Sequence, residues 1–309
     1  MNLYLPIAEL SLNIFLLLAM GGTVGFLSGL FGVGGGFLLT PLLIFSGVPA
    51  PVAVASVTSQ VVAASTSGAL SYYRRGGIDF KLALYLVLAG IIGAVGGVQT
   101  FAWLQSIGQL EVTISVCYFV FLGAIGAIML NEAVRAMLRQ RRDPKSAGRL
   151  PGQHNWMHGL PLRIRFKRSQ IYVSAIPVVG IGLFIGFLGS LLGIGGGFIL
   201  VPALVYLLRV PGSVVIGTSL LHVLCIMAAT TILHAVSSGT VDIVLAFTLM
   251  IGSVIGAQFG ASAGKKLRGE QLRLLLALLV LGVAFRFAAS LLIAPADPFS
   301  MTILAAGEA

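Results

Sequence analysis

Charge is what this chain has least of. Only 9% of its 309 residues are Asp, Glu, Lys or Arg, while 58% are hydrophobic and the mean hydropathy is +1.04. So little polar surface cannot coat a water-soluble globule, which leaves an integral membrane protein. Cysteine is nearly absent as well. Cys117 and Cys225 both fall inside apolar segments, with no metal-ligand spacing and no disulfide framework, so they say nothing about redox compartment. There is no Walker A sequence and no sizeable soluble domain, which argues against ATP-driven transport by this chain alone. No Gly-x-Ser-x-Gly elbow is present, so a serine hydrolase built from Ser67 with His222 or His234 has little support, and no enzyme activity, metal or cofactor is expected. No Lys or Arg precedes the first apolar run and no small-residue cleavage site follows it. Residues 11–31 are therefore expected to be a retained membrane segment, not a signal peptide.

The charge that exists leans one way, 19 Lys+Arg against 9 Asp+Glu. In a soluble protein this would raise the question of nucleic acid. Here the basic residues sit between hydrophobic spans, where they set orientation in the bilayer, and no nucleic-acid partner is expected.

One stretch occurs twice, Gly25-Phe-Leu-Ser-Gly-Leu-Phe-Gly-Val-Gly-Gly-Gly-Phe-Leu-Leu-Thr-Pro41 and Gly186-Phe-Leu-Gly-Ser-Leu-Leu-Gly-Ile-Gly-Gly-Gly-Phe-Ile-Leu-Val-Pro202. In each copy a long apolar run breaks at Gly34-Gly35-Gly36 or Gly195-Gly196-Gly197 and resumes as a short apolar segment. Irregular backbone exposed to lipid would leave peptide groups unsatisfied, so such breaks belong inside protein or against a water-filled cavity. Broken helices in corresponding places of two halves point to a transporter site near the bilayer midplane. Where the helices restart, near Phe37 and Phe198, free N–H groups and the positive dipole end favour an anion. Close helix packing alone would also account for the glycines.

The repeat extends further. Each half reads as a helix (11–32 and 171–193), the break, a short helix (36–46 and 197–208), and three longer segments (52–73, 79–104, 110–136 and 213–236, 242–263, 272–294). Thr58-Ser59 aligns with Thr218-Ser219, and Gly76-Gly-Ile-Asp79 with Gly239-Thr-Val-Asp242. Residues 139–168 form a polar connection with nine basic residues and one acid, Asp143. The short helices, roughly 17 Å long at 1.5 Å per residue, cannot cross a core of about 30 Å and are expected to form re-entrant hairpins. With that threading Arg74, Arg75, Lys81, Arg135, the 139–168 run, Arg209, Lys265, Lys266, Arg268 and Arg273 all fall on one face. The positive-inside rule makes that face cytoplasmic, puts both termini outside and inverts the second half relative to the first.

The expected fold is thus an all-α polytopic membrane protein of two inverted-topology repeats, each a glycine-broken helical hairpin plus three spanning helices. Residues 1–138 form the first repeat, 139–169 the basic cytoplasmic connection and 170–309 the second repeat. The doubled Gly-x-Gly-Gly-Gly-Phe…Pro, each followed by a Thr-Ser pair and a Gly-x-x-Asp turn, resembles the TauE/SafE (sulfite exporter) family over nearly the whole chain. The resemblance implies a secondary transporter in the bacterial inner membrane that moves small sulfur-containing anions such as sulfite or organosulfonates, with both halves enclosing one pathway. The lipid bilayer and that anion are the only partners it implies, and it leaves oligomeric state open.

An oxyanion site needs donors without an excess of acceptors. Thr58, Ser59 and Gln60 on one long segment, and Thr218, Ser219 and His222 on the related one, supply hydroxyl, amide and imidazole donors beside the two breaks. Gln60 has no polar match in the second half and reads equally as a structural hydrogen-bonding residue, while His222 departs from the Gln position, breaks the symmetry and can couple anion movement to a proton. Hydroxyls in membrane helices also bond their own backbone, and a satisfied core histidine is the competing assignment. Arg286, inside the last span, either faces the pathway, holds a structural partner or snorkels outward. His234 is expected near the outer end, at the interface. Asp79 and Asp242 read as helix N-caps. Gly252, Gly256, Gly260 and Gly264, with Gly90, Gly93 and Gly97 in the related helix, make small-residue stripes for close contact. The alternative to transport is a membrane scaffold or sensor that binds an acidic partner through the basic loop.

Overall fold

In the computed structural model, residues 2–31, 34–142, 163–166, 168–169, 171–208, 210–264 and 269–292 are described. Ten α-helices dominate this part. The first half holds β1 (Asn2–Leu5), β2 (Leu10–Asn13), α1 (Ile14–Phe31), α2 (Gly36–Phe45), α3 (Ala50–Arg74), α4 (Phe80–Ser106) and α5 (Leu110–Arg142). The second holds β3 (Arg163–Phe166), β4 (Ile171–Ser174), α6 (Ala175–Leu192), α7 (Gly197–Pro202) with a π-helical turn over Ala203–Leu207, α8 (Gly212–Ser237), α9 (Ile243–Gly264) and α10 (Gly269–Leu292). The same order of elements occurs in both. Residues 143–162, Arg209 and 265–268 lie outside the described residues, and with them most of the polar connection.

Among the described residues, six helices are long and apolar enough to cross a membrane: α4, α5, α6, α8, α9 and α10, each at least in part. The chain is a multi-pass membrane protein. α3 is not among the six, although at 25 residues it is long enough. Its middle reads Ser-Val-Thr-Ser-Gln, and Ser56, Thr58 and Gln60 are fully buried, so protein and not lipid surrounds this polar stretch. The apolar outer surface falls to helices such as α4, where Leu84, Leu88, Ile92 and Trp103 are exposed.

Glycine decides which helices meet. A Cβ on Gly25 of α1 would run into the backbone of Ser253 on α9, and one on Gly29 into Ala257. From the other side Gly252, Gly256 and Gly260 lie against the backbone of Leu18, Gly22 and Phe26. The counterparts α4 and α6 do the same, Gly93 and Gly97 lying against the Leu183 and Phe187 carbonyls and Gly182 and Gly186 against those of Leu86 and Gly90. The small-residue stripes expected from the sequence are therefore contact surfaces between the halves, where backbones approach within side-chain distance. In both pairs the residue numbers rise together, so α1 runs parallel to α9, and α4 to α6.

Equivalent helices instead oppose each other. Thr58 of α3 meets Thr231 of α8 while Gly68 meets Leu220, and Tyr118 of α5 meets Phe287 of α10 while Gly126 meets Leu281. α3 and α8 are thus antiparallel, and so are α5 and α10.

The two β-hairpins were not expected from the sequence. Each is two four-residue strands in antiparallel register, Asn2 with Asn13 and Arg163 with Ser174, placed directly before the first helix of its half. Residues 163–166 therefore form a strand where the sequence suggested only a solvated connection. Both hairpins are fastened by an N-cap aspartate from the opposite half. Asp79 caps α4 through Leu82 N–H (3.2 Å), and its other oxygen accepts from Ser169 N–H (2.9 Å) and Oγ–H (2.7 Å). Asp242 caps α9 through Val244 and Leu245 N–H, and its other oxygen accepts from Ile7 N–H (3.0 Å). The N-cap roles expected for Asp79 and Asp242 are both observed, each extended by a cross-half bond.

Candidate functional site

Both glycine breaks carry left-handed backbone that L-residues rarely adopt. φ is +93° and +72° at Gly34 and Gly35, and +79° and +70° at Gly195 and Gly196. Gly35 and Gly196 are the N-cap positions of α2 and α7, and neither helix start has a side-chain cap. The breaks meet at the centre of the molecule. Phe37 and Phe198 stack with centroids 4.7 Å apart and planes 10° apart, and a Cβ on Gly36 would lie 2.6 Å from the Gly193 carbonyl oxygen. Val61 of α3 and Val223 of α8 flank both Gly34 and Gly195, and Ser65 Oγ lies 3.8 Å from where a Gly34 Cβ would be. α3 and α8 thus form the walls beside the two breaks.

Hydrogen bonds across the halves fix which residues of α3 and α8 correspond. Ser56 Oγ accepts from Asp242 N–H at 2.9 Å, and Thr218 Oγ1 accepts from Asp79 N–H at 3.1 Å. Ser56 and Thr218 play one role, so the alignment of Thr58 with Thr218 is two residues out of register. One helical turn beyond each, Gln60 and His222 occupy equivalent places.

The polar residues expected at the site divide into two groups. Thr58 and Thr218 are committed to structure. Thr58 Oγ1 bonds the Ala55 carbonyl and stands 2.8 Å from Thr231 Oγ1, tying α3 to α8, while Thr218 holds the start of α4. Ser59 is buried on the same turn of α3. The second group has no hydrogen-bond partner: both amide atoms of Gln60, both ring nitrogens of His222, and the hydroxyls of Ser219 and Ser65. Gln60 is 0% and His222 1% exposed. A buried amide or imidazole without partners costs about 1–3 kcal/mol, so two at equivalent positions need a reason. Ser65 was not singled out from the sequence, where it is one of several small hydroxyl residues on α3. Its place beside Gly34 gives it its interest.

His234 lies in the last turn of α8, near a helix end as expected, and its side chain is fully buried in protein, with Nε2 3.0 Å from the Ser190 carbonyl and its ring edge-on to Phe101. Together with Tyr118, whose hydroxyl donates to the Leu192 carbonyl at 2.8 Å, it satisfies carbonyls at the end of α6 that the glycine break leaves open. Arg286 is not brought to the breaks. It is exposed on the last turns of α10, with its guanidinium carbon 4.9 Å from the centre of the Phe45 ring. Among the described residues, no cluster of three or more His, Cys, Asp or Glu side chains could hold a metal.

Residues 17–287 match the family model described as sulfite exporter TauE/SafE. The chain is 30% identical over 268 residues to the probable membrane transporter protein YjnA of Bacillus subtilis, covering 86% of this chain and 96% of that one. It is 28% identical over 289 residues to a probable membrane transporter protein of Xylella fastidiosa, covering 90% and 98%. A shorter match, 33% over 81 residues, joins 25% of this chain to 18% of sulfite exporter TauE/SafE family protein 5 of Arabidopsis thaliana. No solved structure matches significantly.

Proposed function

Because the chain belongs to the sulfite exporter TauE/SafE family, and so is a membrane transporter and not an enzyme, we propose that it moves a small sulfur-containing anion by alternating access around the paired glycine breaks. The two glycine breaks offer backbone N–H groups, apart from that of Gly36, which bonds the Gly34 carbonyl, and Gln60, Ser65, Ser219 and His222 offer side-chain donors. The observation that carries this is the pair Gln60 and His222, equivalent across the halves, wholly buried and without a partner. An oxyanion of sulfur accepts hydrogen bonds from amide, hydroxyl and imidazole alike, and no fixed cation holds it so tightly that it cannot leave. Ser59, next to Gln60, lines the same turn. Thr58 and Thr218 belong to the frame around the site.

Two further elements of the proposal concern the whole chain. The antiparallel course of α3 against α8 and of α5 against α10 supports an inverted repeat, since a two-fold axis in the membrane plane reverses equivalent helices. Arg74, Arg75, Lys81 and Arg168 lie at the end where Asp79 meets Ser169. By the positive-inside rule that end is cytoplasmic in the bacterial inner membrane, with the β1–β2 hairpin outside, and export is the proposed direction.

Counterflow in proteoliposomes tests the function. Vesicles loaded with unlabelled sulfite, thiosulfate or sulfoacetate should take up the same labelled anion, and Gln60→Ala protein should not. Folded wild-type protein that exchanges none of the three would overturn the sulfur-anion assignment.

A further inference from the structure

A second place for a ligand lies at one end of the bundle. The turn between α2 and α3, the first turns of α5 and the last turns of α10 enclose a cleft of about 950 Å³ that shares no residue with the glycine breaks. Glu111 and Arg286 both line it, with Ser115 and Ser290 between apolar walls that include Phe45 and Val112. The two charges do not pair with each other. The guanidinium rests over the Phe45 ring instead, which holds a cation in place while leaving its N–H groups free for an anion.

We propose that this cleft binds the headgroup of a membrane phospholipid that carries a phosphodiester and a primary ammonium. Arg286 takes the phosphate through charge-assisted hydrogen bonds, the Ser115 hydroxyl adds a donor while that of Ser290 is given to the Phe287 carbonyl, and the Glu111 carboxylate accepts from the ammonium. Three observations single out a lipid over a soluble zwitterion. Glu111 stands in the first turn of α5, a helix apolar enough to cross a membrane, so the cleft lies at an end of that span, where headgroups meet acyl chains. Val112, which lines the cleft, starts a stripe with Val116 and Phe119 at helical spacing along α5, and all three are exposed, by 55%, 41% and 42%. An acyl chain leaving the cleft has that stripe to lie on. The third is the balance of one cation and one anion. It suits a zwitterionic headgroup, whereas a phosphatidylglycerol would leave Glu111 facing only anion, and a phosphatidylcholine has no ammonium N–H to donate.

Native mass spectrometry of the delipidated full-length protein tests this with phosphatidylethanolamine, phosphatidylglycerol and phosphatidylcholine of identical chains. Wild-type protein should retain phosphatidylethanolamine about five-fold better than either of the others. Glu111→Gln should remove that preference, and Arg286→Gln should lower retention of all three. Both side chains are exposed, so the variants should keep the wild-type elution volume in gel filtration, the condition for reading them. Equal retention of the three lipids by the wild type, or an unchanged preference in Glu111→Gln, overturns the proposal. So does displacement of the bound lipid by millimolar free phosphoethanolamine, which would make this a site for a soluble zwitterion.

Discussion

Gln60 and His222 are destabilising residues by every ordinary measure. Each buries two polar atoms that have no hydrogen-bond partner in the protein. Replacing such a group by an apolar one of similar size removes a desolvation penalty of about 1–3 kcal/mol and leaves nothing else unpaired. Gln60→Leu and His222→Leu should therefore raise the thermal unfolding midpoint in detergent while abolishing counterflow. A structural role predicts the opposite sign, because a partnered glutamine or histidine would be missed. Thr58→Val serves as the contrast. It removes the bond to Thr231 and should lower stability by about 1 kcal/mol while leaving exchange measurable. Much of this site was legible in the sequence, since an amide and an imidazole inside apolar helices beside doubled glycines are conspicuous. What misled was the pair of Thr-Ser dipeptides. They match as letters, but correspondence is set by which hydroxyl receives the N–H of the opposite aspartate, and Ser56 holds that role opposite Thr218.

At the scale of elements, the halves meet backbone to backbone where α1 lies on α9 and α4 on α6, and through side chains where α3 faces α8 and α5 faces α10. A methyl group on Gly186 would strike the Gly90 backbone, and one on Gly256 the Gly22 backbone; neither neighbour has a rotamer to change. Gly186→Ala and Gly256→Ala should each destabilise by about 1–3 kcal/mol, the range for overpacking a well-packed contact, read as a fall in unfolding midpoint. Gly180→Ala, on the same helix as Gly186 with nothing within 4 Å of the new carbon, should be neutral or slightly stabilising. The helices and their stripes were readable because apolar length and glycine spacing survive in any window of sequence. The β-hairpins were not. Strands of four residues carry too few alternations to register, and what fixes each hairpin, an aspartate some 90 or 235 positions away, is not local information. Asp79 and Asp242 gave half of that away as helix caps. Their second carboxylate oxygen, which does the cross-half work, leaves no mark on the sequence.

On the scale of the whole molecule, those two aspartates close opposite ends. Asp79 holds the β3–β4 hairpin against the end with the arginines, and Asp242 holds the β1–β2 hairpin at the other. Both fastenings are made at once in this conformation. The alternating access proposed around the glycine breaks would require each end to open in turn, one fastening letting go while the other stays. The two are unequal. Across the halves, Asp79 accepts from the backbone and the hydroxyl of Ser169, whereas among the described residues Asp242 accepts from the backbone N–H of Ile7 alone. Ser169→Ala removes one hydrogen bond to a charged group, about 1.5–3 kcal/mol, and leaves the N–H bond and the helix cap intact. It should shift the population towards the form open at the arginine end by about ten-fold or more. A cysteine placed at Ser65, in protein with Cys117 and Cys225 replaced by alanine, reports this through labelling by an impermeant thiol reagent. In inside-out vesicles Ser169→Ala should speed the reaction, and in right-side-out vesicles it should slow it, because population gained by one open form is lost by the other. Equal acceleration from both sides would mean that the substitution only loosens the protein and that the two hairpins do not work as alternating closures.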